Sequence, residues 1–217
     1  MDRAGIRLIG WAATLLLLFG VQAKTFAAPS GLFLIPTTEF CPARCYTVEF
    51  QVDGSLARRT ADSYFVNTEF ALTDRIEAGI DADLSEDNSS RLFLNGKVLL
   101  IGGPSSSFSM AAGVITMLDE HVDATSFLVG SLHLSKGAKG HVGMIRVHGR
   151  NRIFTGFEAA LREGLVLMAD CIDGPDNESS IGLSMDLKAG VSVMAGLIKP
   201  NGGGSFRYSI HLVFSWD

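Results

Sequence analysis

Six large apolar side chains stand two residues apart at the end of this chain: Phe206, Tyr208, Ile210, Leu212, Phe214 and Trp216. On a β-strand they share one face, while Arg207, Ser209, His211 and Ser215 share the other. A period of two cannot serve a helix, whose faces repeat every 3.6 residues. An unbroken apolar face of this length, aromatic at both ends, points to a sheet whose outer surface meets hydrocarbon.

The same alternation recurs upstream. About twelve segments of roughly ten residues lie at 44–53, 63–73, 75–84, 91–101, 107–118, 124–135, 140–149, 152–162, 164–173, 179–188, 190–199 and 205–216. Each is close to the roughly 9–11 residues that a tilted strand needs to cross a bilayer. On the first, Tyr46, Val48, Phe50 and Val52 oppose Thr47, Glu49 and Gln51; on the third, Ile76, Ala78, Ile80 and Ala82 oppose Glu77, Gly79, Asp81 and Asp83. The phase weakens at 107–118, 140–149 and 164–173, where Val142, Met144, Val166 and Met168 join the face expected to be polar. The pattern predicts an all-β protein, an antiparallel up-and-down transmembrane β-barrel over residues 44–217, with a lead-in segment at 24–43. An even strand count puts both termini on one side. Tight turns at Leu72–Arg75, Leu161–Gly164 and Leu187–Gly190 all fall on that side, as in barrels with short inner turns and longer outer loops. Strand glycines recur about once per segment, and curvature of a small barrel is the expected reason.

Residues 1–23 read as an export signal: Arg3 and Arg7, an apolar run from Leu8 to Gly20, then the small-x-small site Val21-Gln-Ala23, with a second site at Ala27. Removing them takes away Asp2, Arg3 and Arg7, so a chain of net charge −5 becomes one unit more negative. That argues against nucleic acid as a partner, which needs clustered cations. After export Cys41, Cys45 and Cys171 remain. Cys41 and Cys45 are close enough in sequence to close a small disulfide loop in an oxidising compartment. Too few ligands surround them for a metal. No cofactor motif is present.

The inward face carries Glu49, Glu69, Glu77, Asp81, Asp83, Glu158, Asp170 and Asp186 against Lys97, Arg146 and Arg207, with His148 and His211. Charges inside a narrow barrel need partners or water. Two readings stay open: an acidic lumen favouring cations or polar solutes, or a filled interior where the cations pair with carboxylates. Glu77, Asp81, Lys97 and Arg207 are the foremost candidates for function.

The signal, the alternating strands and the aromatic last strand together resemble bacterial outer-membrane β-barrel proteins. Gly31-Leu-Phe-Leu-Ile-Pro-Thr-Thr38 is similar to the opening of uncharacterised barrel families, some associated with exopolysaccharide secretion, as are Asn67–Gly79 and Asn95-Gly-Lys97. The resemblance implies an outer-membrane location among its lipids, insertion by the barrel-assembly machinery, and a non-enzymatic role as a small pore or envelope protein. Its partners would be a small polar solute or a polysaccharide. In such barrels the machinery reads a terminal aromatic residue; here Trp216 is followed by Asp217. A second reading is a lipid hydrolase, because His133-Leu-Ser135 resembles the His-x-Ser of outer-membrane phospholipases, although the family's Asn partner is absent. A third is a soluble periplasmic β-sandwich that binds a ligand or partner.

Overall fold

A computed structural model describes residues 31–41, 44–85, 91–103, 106–117, 124–147 and 149–216. The expected signal sequence and His148 lie outside them. Twelve strands follow one another along the chain: β1 (Tyr46–Ser55), β2 (Thr60–Thr73), β3 (Ile76–Asp83), β4 (Arg91–Ile101), β5 (Phe108–Met117), β6 (Thr125–Ser135), β7 (Ala138–Val147), β8 (Arg150–Arg162), β9 (Leu165–Ile172), β10 (Glu178–Lys188), β11 (Val191–Pro200) and β12 (Arg207–Trp216). Each pairs antiparallel with the next, and β12 returns to pair with β1, closing an up-and-down barrel. Every strand begins and ends within three residues of its sequence-based bounds.

Why a barrel forms is visible in the alternation. Phe50, Phe70, Ile80, Leu94, Leu128, Ile181, Leu197 and Ile210 are exposed, one after another around the outside. Their strand neighbours Glu49, Glu77, Lys97, Val129, Ser180, Ser209 and His211 are buried. A water-soluble protein cannot display such a belt, whereas a closed barrel in a bilayer needs one, since closure satisfies every ladder hydrogen bond within the sheet. Aromatic residues gather near both ends of the wall: Tyr46, Phe70, Phe108 and Trp216 at the end carrying the termini (the base), Tyr64 and Phe206 toward the opposite rim. These are the girdles of an outer-membrane barrel, and they place the protein in that membrane. The soluble sandwich is thereby set aside.

Four of the five turns at the base are short, while six residues, 102–107, join β4 to β5 there. Two residues separate β2 from β3, β6 from β7, β8 from β9 and β10 from β11. Gly137, Gly164 and Gly190 take positive φ in the last three, a conformation that glycine adopts without steric cost.

The closing seam is fastened on both faces. Outside, Tyr46 of β1 stacks on Trp216 of β12 with ring centroids 5.3 Å apart, and Phe50 meets Phe214 edge-on at 6.1 Å. Inside, His211 and Ser209 of β12 reach Glu49 and Asp53 of β1.

Candidate functional site

The lumen is occupied. Residues 31–41, expected only as a lead-in, pass inside the barrel. Gly31 and Pro36 form an isolated bridge, and the Leu32 amide donates to the Ile35 carbonyl at 3.0 Å, making a tight turn with Phe33 and Leu34 at its tip. Leu32, Phe33 and Ile35 are buried in one apolar cluster with Leu99, Ala111, Phe127, Val129, Ile145, Phe154, Met168, Met194 and Val213 from the wall.

Three wall glycines make the room. A Cβ on Gly156 would lie 2.5 Å from Ile35 Cδ1 and 2.7 Å from Leu32 Cδ1. One on Gly182 or Gly196 would lie 2.6 or 2.7 Å from Phe33 Cζ. The expectation that strand glycines serve curvature is corrected at these three positions: they form the groove under the segment. The Phe33 ring also meets His211 edge-on, with centroids 5.5 Å apart.

Polar groups hold the backbone. Asp170 accepts the Leu34 amide at 2.9 Å, and the flanking Phe33 and Ile35 amides add to the field that favours its charge. The Ser180 hydroxyl donates to the same carboxylate. Successive N–H groups curled around one anion form a nest. Nearer the base, Lys97 lies 3.4 Å from Glu77, donates to the Glu39 carbonyl and sits 4.4 Å over the Phe40 ring. Lys139 bridges Glu39 at 2.7 Å and Glu158 at 3.1 Å. The Cys41 amide donates to Glu77 Oε2 at 3.3 Å, and a disulfide joins Cys41 to Cys45, next to β1.

The other half of the inner wall is polar and faces open space. Between the segment and β1–β4 lies a cavity of about 260 Å³ lined by Glu49, Glu69 and Asp81 with the amides Gln51, Asn67 and Asn95. Asn67 donates to Glu49 at 2.7 Å and to Gln51 at 3.3 Å; Asn95 donates to Asp81 at 2.8 Å. A second space of about 310 Å³ lies toward the base, beside Lys139, Glu158, Arg162 and Asp186. Gly31 and Leu32 line both, so the segment stands between them.

The inward charges named from sequence thus divide. Glu77, Lys97, Glu158 and Asp170 hold the segment or its partners, and Glu77 and Lys97 also line the first cavity and Glu158 the second. Glu49, Glu69 and Asp81 border the first cavity, and Asp186 the second. Arg207 sits at the far rim, 3.0 Å from Glu178 and 4.0 Å from Asp53. Arg146 is a correction: it is exposed on the face of β7 that carries exposed Val142 and Met144, and donates to Asn151 at 3.3 Å. Its inward neighbours are buried His141 and Ile145. Lys139 and Glu39 were missed because they fell in an expected turn and in the lead-in.

Neither enzyme-like arrangement is set for catalysis. His133 and Ser135 are exposed, and His133 Nδ1 bonds the Ser106 carbonyl at 2.8 Å rather than its neighbour's hydroxyl. The seam holds a better constellation, unseen in the sequence because its members lie on strands far apart in the chain. Ser209 Oγ is 2.7 Å from His211 Nε2, and His211 Nδ1 is 3.0 Å from Glu49 Oε1. Nucleophile, base and orienting carboxylate are in the right order. However, Ser209 donates its proton to Asp53 Oδ1 at 2.5 Å. It therefore shows the imidazole a lone pair, and at 1% exposure it meets no substrate. The network joins β1 to β12.

No family model and no curated protein matches the sequence. Two solved structures of KdgM porin, one titled as a complex with disordered oligogalacturonate, align at 8% identity with TM-scores of 0.64 and 0.62, over 79% of this chain and 99% of theirs. At that identity the likeness is one of architecture, and what this chain shares with them is the fold of a bacterial outer-membrane β-barrel.

Proposed function

We propose that this protein is a small outer-membrane channel for neutral or cationic polar solutes, with saccharide units of envelope polysaccharide among its candidates. The observation that carries the reading is the cavity wall of Glu49, Glu69 and Asp81 interleaved with Gln51, Asn67 and Asn95. Carboxylates and amide oxygens accept hydrogen bonds from hydroxyl and ammonium groups, and a low-dielectric wall magnifies their charge. The KdgM complex supports a saccharide as the class of solute. Its oligogalacturonate, though, is a polyanion, and an acidic wall would repel it. The shared architecture therefore supports a channel, and the wall's own charges support a preference for neutral or cationic solutes.

Planar-bilayer recording across a salt gradient tests this. A reversal potential of the sign for cations is expected, and Glu69→Lys should move it toward anions. Anion preference in the unmodified protein would overturn the reading.

A further inference from the structure

Resting on that channel reading, we propose that residues 31–40 are a displaceable plug, an autoinhibitory gate latched at its tip by Asp170 and hinged at its base by Cys41. The plug separates the two lumen cavities, and Gly31 and Leu32 line both. The turn therefore lies on the direct path of a solute from one to the other.

The plug is inside the wall without being part of it. Each wall strand is hydrogen-bonded to two neighbours, whereas the plug's bridge is with itself, Gly31 to Pro36. It can leave its groove without breaking a ladder, so the barrel survives its movement.

Its two ends are held differently. At the base are a covalent bond, Cys41–Cys45, and the bridges from Lys97 and Lys139 to Glu39. At the tip are one carboxylate and the burial of Leu32, Phe33 and Ile35 in a glycine-floored groove, none of it covalent. The tip is therefore the end that moves. Asp170 is also the group a cationic or hydroxyl-rich solute would seek, so an entering solute competes with the plug's own amides for the latch. Binding of this kind opens a gate through its differential affinity for the two states.

The test is a reversible latch. Leu34→Cys and Asp170→Cys are introduced together in a Cys171→Ser background of the mature chain. The purified barrel is recorded in planar bilayers, oxidised and then reduced, with Cys171→Ser alone as the control for reductant. The oxidised pair should stay closed, and the reduced pair, having lost the latch, should raise open probability about tenfold over the control. The isosteric Asp170→Asn should raise it in the same direction without any cysteine chemistry. It also serves if the double variant fails to show the heat-modifiable gel mobility of a folded barrel. Equal conductance in all states overturns the gate and leaves the channel reading intact. Silence in every variant, including a deletion of 31–40 that still folds, overturns both.

Discussion

The two sides of the lumen are built on opposite principles. Along β8–β11 the inner wall is mostly glycine, serine and methionine, with Gly156, Gly182, Gly196, Met168 and Met194 and one buried carboxylate, Asp170, and the chain's own residues cover it. Along β1–β4 it is acidic and amide-rich and faces space. Where the wall is apolar, burial against Leu32, Phe33 and Ile35 supplies the stabilisation. Where it is polar, the side chains satisfy one another sideways and leave the centre free. A single barrel thus carries one half suited to holding and one half suited to passage.

The comparison can be broken most severely at Lys97. Lys97 and Glu77 are 6% and 2% exposed, so Lys97→Glu leaves buried charge without compensation. A loss of roughly 3–5 kcal/mol is expected, or failure to fold, read from the urea midpoint of the gel-mobility shift in detergent. An unchanged midpoint would mean that water reaches the pair and that the acidic half is wet even where it grips the segment. Gly196→Ala should cost less, roughly 1–3 kcal/mol from overpacking, and should raise protease cleavage within 31–40 while the barrel remains folded. Unaltered cleavage would detach the glycines from the plug. On the polar side, Asp81→Asn keeps shape and its bond to Asn95 but turns an NH2 toward the Thr68 amide that Asp81 now accepts at 3.3 Å, so stability should fall by about 1 kcal/mol while cation preference falls. Smallest of all, Arg146→Ala should stay within about 0.5 kcal/mol and leave conductance alone, because the side chain faces outward. An altered selectivity there would return it to the lumen.

The strands, the closed architecture and the outer face were legible in the sequence, because a lipid-facing belt writes a period of two into strand after strand of bilayer-crossing length. The phase faded at β5, β7 and β9 for a physical reason. Ala111, Ile145 and Met168 point inward yet are apolar, since they pack on the plug. With both faces apolar, alternation carries no sign, and Arg146 was assigned to the wrong one. The polar half at β1–β4 kept its contrast, because Glu49, Glu77 and Lys97 are buried between exposed apolar neighbours. What could not be read was the plug. Gly31-Leu-Phe-Leu-Ile-Pro36 is too short and too proline-bound for a strand, and its groove is assembled from β8, β10 and β11, which only the closed sheet brings together.

The pairing of β1 with β12 has a cost at birth. The last ten residues of the cylinder are needed before its first strand has a second neighbour. A chain ending before Arg207 would present β1 and β11 as two bare edges, each a template for another unfinished copy. It would also strand Glu49 and Asp53 without His211 and Ser209. Truncation ahead of Arg207 should therefore yield aggregates rather than a smaller barrel.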